Sequence, residues 1–141
     1  MSTPDLPTAA RRWADEARLH VNALSPDNYA RLLHADFVQE SRRSAPFTFN
    51  REQALGSVDT MRQMGLHVGG IDVAVAGAYH LLTQRRYEHR QGVVELLAVT
   101  AWTTDGLLLR MIEFELDALD DAMVELGTLA GEDPIIVNAY W

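Results

Sequence analysis

The chain contains no cysteine and no lysine. Without cysteine there is no disulfide, no thiolate nucleophile and no cysteine-held metal. Without lysine there is no Schiff-base chemistry, and all 12 basic residues are arginine. Positive charge is scarce against 20 acidic residues. The formal net charge of −8 argues against nucleic acid and anionic membrane surfaces, since both require a basic footprint. No apolar run approaches the roughly 20 residues of a membrane span. Met1–Pro7 has neither a basic region nor an apolar stretch, so no signal peptide is expected and the cytoplasm is the expected compartment. There is no glycine-rich phosphate loop and no Gly-x-Ser-x-Gly elbow. His20, His34, His67 and His80 are scattered, without the helical i, i+4 pairing that metal binding favours, so no metal site is expected.

What is present is 48% hydrophobic and 23% charged residues over 141 positions, enough for one domain with a real core. Trp13, Ala17, Val21 and Leu24 form an apolar stripe that predicts a helix over Ala9–Leu24. Ser25 followed by Pro26 has the pattern of a helix start, opening a short helix through His34. Phe37–Ser41 reads as a strand. Asn50 with Gln53 three residues on has the form of a capping box for a helix over Arg51–Met64, closed by Gly65. Ile71–Ala76 reads as a strand. Asp117 is placed to cap a last helix, with Leu119, Met123 and Leu126 on one stripe and Gly131 closing it. The order predicts an α+β layout, with helices packed on one face of a mostly antiparallel sheet.

The densest signal lies in three runs, Tyr79–Arg90, Val93–Thr104 and Leu107–Leu116, joined by Gln91-Gly92 and Asp105-Gly106. The second join is a strong hairpin signal, because glycine accepts the positive φ of a tight turn. Counting outward from two-residue turns sets Tyr87 opposite Leu96, Trp102 opposite Leu109, Ala98 opposite Glu113 and Leu96 opposite Glu115. Side chains alternate faces, so one face collects Thr83, Arg85, Tyr87, His89, Thr100, Trp102, Met111, Glu113 and Glu115. A face that mixes aromatics with Arg, His and two carboxylates has the composition of a pocket wall.

"LLHADFVQES" and "TDGLLLRMIEFELDALDDA" resemble the helix-to-strand junction and the closing hairpin of the NTF2-like superfamily, especially its SnoaL-like (polyketide cyclase-like) branch. The resemblance spans Ala9 to Ala130. It implies a conical α+β barrel, a bent sheet wrapped around the N-terminal helices with a cavity open at one end. It also implies that Leu109, Met111, Glu113 and Glu115 line that cavity. The positions where ketosteroid isomerases carry their base, tyrosine and protonated aspartate hold Ser41, Ala17 and Ala98, which argues against that activity. An epoxide hydrolase triad has only Arg85 with Glu113 or Glu115 as a loose counterpart, and Tyr87 stands where an aspartate would be. The carboxylate of SnoaL-like cyclases, near the end of the last strand, falls near Glu115, with His89 on the same face.

Glu115, Glu113 and His89 are therefore the candidate catalytic residues, and Arg85, Tyr87, Trp102, Met111 and Ser41 the candidate substrate contacts. A carboxylate on an apolar wall has its ionised form disfavoured and its pKa raised toward the range useful for proton transfer. The competing readings are a solvated Glu115 that pairs with Arg85 or caps the last helix, and a surface His89 beside its turn. An inward Arg85 must be paired to Glu113, Glu115 or a ligand oxygen. Ser41 or Glu40 faces inward, but not both, and Arg42 and Arg43 follow at the cavity mouth. The expected ligand is a small, largely apolar molecule with carbonyl or hydroxyl groups. The expected function is a lyase, isomerase or cyclase using acid/base chemistry on a polyketide-like substrate, with no cofactor. The alternatives are a non-catalytic binding or interaction domain and an epoxide hydrolase. The apolar tail at 132–141, with Ile135, Ile136, Val137, Tyr140 and Trp141, is expected to add a strand, cover the mouth or dock on a partner. Leu97, Val99, Ile112 and Phe114 on the opposite face need cover, which makes a homodimer the expected assembly.

Overall fold

The computed structural model describes residues 6–23 and 26–138. Leu24, the proposed cap Ser25, Tyr140 and Trp141 lie outside them. Helix α1 (Ala9–Asn22) is capped by Thr8, whose side chain accepts from the Arg11 N–H at 3.4 Å. It is followed by α2 (Pro26–Arg31), β1 (Leu33–Ser41), β2 (Phe47–Asn50), α3 (Arg51–Gln63) and β3 (His67–Ala76). The chain then runs through β4 (His80–His89), β5 (Gly92–Trp102), β6 (Leu108–Phe114), α4 (Leu119–Ala130) and β7 (Ile135–Ile136).

The seven strands form one open sheet in the order β2-β1-β6-β5-β4-β3-β7. The β1–β6 pair is parallel and every other pair antiparallel. This is the expected α+β cone, left unclosed between β2 and β7. Strand β2, four residues beginning Phe-Thr-Phe, was not expected. The tail takes the first of its three expected roles: Ile135 and Ile136 pair with Val75 and Ala74, adding a strand beside β3.

The helices do not all pack on one face, and this corrects the layout expected above. On the concave face, Ala10, Ala14 and Ala17 of α1 pack with Phe37, Leu81, Leu96, Trp102 and Met111. On the other face, Ala122 and Leu126 of α4 pack with Val73, Leu82, Leu97, Val99, Ile112 and Phe114. Alternation divides the two sets along β4 and β5, while register shifts in β3 and β6 interrupt it. The apolar outer face that suggested a homodimer is thus covered within the chain. Arg42 ties α4 to the sheet, donating to Glu125 at 3.0 Å while its guanidinium lies 5.5 Å from the Phe114 ring centroid.

The capping box before α3 is complete. Asn50 Oδ1 accepts from the Gln53 N–H and Gln53 Oε1 accepts from the Asn50 N–H, both at 2.9 Å. Asn50→Ala is expected to cost about 1 kcal/mol, read as a lower urea midpoint with an unchanged slope. The last helix departs from expectation at its start: Ala118, not Asp117, occupies the cap position, with no side-chain cap. Asp120 and Asp121 in the first turn instead offer negative charge to the helix N-terminus.

Register decides which side chains reach the concave face. The β4–β5 turn uses Arg90-Gln91, so Tyr87 faces Val94 and Arg85 faces Leu96. The partners lie two residues from those expected, which leaves every side chain on the face assigned to it. At the β5–β6 turn two departures cancel. Thr103 donates its backbone N–H to Leu107 at 2.8 Å, giving a three-residue loop in place of two. A bulge then falls where Ala101 faces Arg110 and Trp102 faces Leu108. Beyond the bulge, Ala98 faces Glu113 as counted. Leu109 is the extra residue and is turned outward, 38% exposed, so it does not line the cavity.

Candidate active site

The concave face and the helices enclose a cavity of about 220 Å³. Its apolar walls come from α1 (Ala14, Val21), α3 (Met61), β3 (Val68) and β5 (Leu96). The sheet contributes a polar cluster to the same cavity: Gln39 from β1, Arg85, Tyr87 and His89 from β4, and Glu113 from β6.

Glu113 is 4% exposed. Burial pushes its carboxyl above the usual carboxylate range, against the pull of Arg85, Arg43 and a Gln39 hydrogen bond. Gln39 Nε2 donates to Glu113 Oε2 at 3.3 Å, a long bond. Arg85 is buried as well, yet no carboxylate among the described residues forms an ion pair with it. Its Nη1 donates to Tyr87 Oη at 3.4 Å and its Nε has no partner. A carboxyl group and a guanidinium thus share one cavity without an ion pair between them. Tyr29, carried in by α2, and Tyr87 complete the group. Burial raises both phenols, Tyr29 to about 12, so both are neutral hydroxyl groups at physiological pH.

The sequence-derived candidates separate clearly in space. Arg85, Tyr87, His89, Trp102, Met111 and Glu113 all line the cavity. Glu115 does not. Strand β6 ends at Phe114, and beyond it the Glu115 carboxylate accepts from the Ser44 N–H at 3.0 Å and meets Arg43 Nε at 3.6 Å. The Ser44 N–H, with help from Arg43, holds its carboxyl below the usual range, the opposite of what a base in a dry pocket needs. The partner expected for a solvated Glu115 was Arg85, but the structure supplies Arg43. Ser41 faces inward beside Glu113 in the β1–β6 register, while Glu40 turns out toward Arg110 at 3.2 Å. Ser41 Oγ accepts from the Arg43 N–H at 3.4 Å, and the residue is not part of the cavity lining.

His89 lines the cavity, but its Nδ1 accepts from the Gln91 N–H at 3.1 Å, which anchors the ring to its turn. Trp102 Nε1 donates to Thr100 Oγ1 at 3.1 Å, so the indole supplies a flat wall and no free donor. The ring lies 6.1 Å from that of Trp13, which stacks on Tyr79 at 6.0 Å.

No protein-family model and no curated protein matches the chain. Solved structures do. A computationally designed 17-OHP binder superposes with a TM-score of 0.67 at 12% identity, covering 79% of this chain and 95% of its own. The Delta 5-3-ketosteroid isomerase from Mycobacterium sp. has a TM-score of 0.65 at 13% identity, covering 79% and 96%. SalBIII, an epoxide hydrolase/cyclase-like enzyme of pyran ring formation in the polyether salinomycin, has a TM-score of 0.65 at 10% identity, covering 74% and 88%. The chain has the NTF2-like fold.

Within this NTF2-like cone the cavity residues not foreseen from the sequence include Gln39, Arg18 and Tyr29. Gln39 carried a usable signal, since it shares parity with Phe37 and Ser41 on β1. Arg18 also did, because Ala14, Arg18 and Val21 fall at i, i+4 and i+7 on one helical face. Tyr29 had none: it sits on a six-residue helix whose docking is set by tertiary contacts.

Proposed function

We propose that the cavity is the site of cofactor-independent acid/base catalysis, with Glu113 as the base. The substrate is a small, largely apolar carbonyl compound. Glu113 takes a proton from the carbon next to the carbonyl, and Tyr87, whose Oη accepts from Arg85 Nη1, donates a hydrogen bond to the oxygen as it becomes an enolate. The electron pair then recovers a proton elsewhere, expels a leaving group or closes a ring, giving an isomerase, a lyase or a cyclase. The observation that carries this reading is Glu113 itself, a buried carboxylate on the cavity wall with its one hydrogen bond long and its counter-cation unpaired. Burial raises its basicity, and the neutral phenols nearby can donate without first losing charge. A designed binder and two enzymes among the fold neighbours fit a cone that holds small molecules.

The test uses 2-tetralone, an apolar ketone with acidic α-protons, and follows deuterium uptake by NMR in D₂O. The protein is expected to accelerate exchange above the buffer rate, and saturably. Exchange at the buffer rate despite binding would leave a non-catalytic binding domain as the function.

A further inference from the structure

Two guanidinium groups meet on one side of the cavity. Arg18 comes from α1 and Arg85 from β4, and both line the space. Gly70 makes this juxtaposition possible. It is the register partner of Arg85 on β3, and a Cβ there would stand 2.9 Å from Arg18 Nη1 and 3.1 Å from Thr83 Cγ2. The absent side chain is the space that Arg18 occupies.

Among the described residues no carboxylate forms an ion pair with Arg85. Arg18 Nη1 and Arg85 Nε are both buried without a hydrogen-bond partner. Asp15 binds Arg18 through Nη2, but its own side chain is 63% exposed. Asp72 acts on Arg18 only through space and is bound to Arg11 at 2.8 Å. Arg43, also on the cavity, is matched by Glu115 at 3.6 Å. Glu113 acts on Arg85 through space, without an ion pair. Burial first and the neighbouring Arg85 charge second lower the Arg18 pKa, with Asp15 and Asp72 acting against them. Buried charge of this kind is costly unless something compensates it. A carboxylate is the natural complement of a guanidinium, which it meets through two parallel hydrogen bonds.

We infer that the ligand of this cavity is an amphipathic carboxylate, its acid group held against the Arg18–Arg85 pair and its carbon skeleton lying along Val21, Leu66, Val68 and Leu96. This deepens the function proposed above by naming the substrate class, an apolar carbonyl compound that also bears a carboxylate. It rests on the cavity being the ligand site, but not on Glu113 moving a proton. A bound carboxylate also has a consequence for catalysis. By matching Arg85 it removes the field that holds the Glu113 carboxyl down, so binding makes the base stronger.

The test compares octanoate with its uncharged isostere octanamide at neutral pH by calorimetric titration. The intact protein is expected to bind octanoate about ten-fold more tightly or better. In Arg85→Met the preference is expected to fall to about one. Arg18 is only partly buried, so Arg18→Met serves as a second variant that keeps the fold, and it is expected to lose most of the preference. Octanoate, but not octanamide, is expected to raise the Glu113 titration midpoint. Equal affinities in the intact protein, an undiminished preference in Arg18→Met, or no binding of octanoate would overturn the proposal. Octanoate preference without 2-tetralone exchange would remove the acid/base function alone. Exchange without the preference would remove the carboxylate alone.

Discussion

Replacing Glu113 by glutamine is expected to slow 2-tetralone exchange by about 10²–10⁴-fold while making the protein more stable at neutral pH. The two effects have one origin. Glu113 lies in a cavity where burial favours the protonated form, so its folded pKa lies above its unfolded value of about 4.3. Between those two values the native state binds more protons than the unfolded state, and stability falls as pH rises through that window. Above the folded pKa the full penalty remains. Glutamine resembles the protonated acid and does not titrate. The variant should therefore match the parent below pH ~4 and exceed it at pH 7. A gain within the about 0.5–2 kcal/mol seen for favourable single substitutions would appear as a few degrees in Tm. A variant less stable than the parent at pH 7 would mean that Arg85 and Arg43 compensate the Glu113 charge more than burial penalises it.

Leu126→Ala is expected to destabilise the protein by about 2–5 kcal/mol and to leave octanoate binding intact. Leu126 is fully buried on α4, among the outer-face residues Leu97, Val99 and Ile112. Its loss opens a void where the sheet is sealed from behind. Against a typical total of about 5–15 kcal/mol that is a large fraction, visible as a clear drop in the urea midpoint. The cavity lies across the sheet and draws no lining residue from α4. Loss of binding in a variant that remains folded would show that α4 shapes the site as well as the core.

Local signals in the sequence are matched by the structure, and features set by distant contacts are not. The Asn50–Gln53 box needs only four residues and is found intact. Glu113 was correctly turned inward, although the turn had one residue too many and a bulge took it back. Parity survives such paired errors because a strand has only two faces. Glu115 failed because the strand ends one residue before it, and nothing in Phe114-Glu115-Leu116 marks that end. The strand stops because the chain must leave the sheet to carry α4 to the outer face. For the same reason the apolar outer face was read as an interface: Leu119, Met123 and Leu126 announced a helix but not the side on which it docks. Of the partners expected for Arg85, neither Glu113 nor Glu115 forms an ion pair with it, which leaves a ligand oxygen.

Direct NMR titration of the Glu113 and Glu115 side-chain carboxyls, assigned with Glu113→Gln, tests the acid/base account at its centre. The expected result is a Glu113 midpoint above the ordinary value of about 4.3 and a Glu115 midpoint below it. A Glu113 midpoint at or below that value would place its carboxylate in water or in a tight ion pair, and would contradict its role as the base.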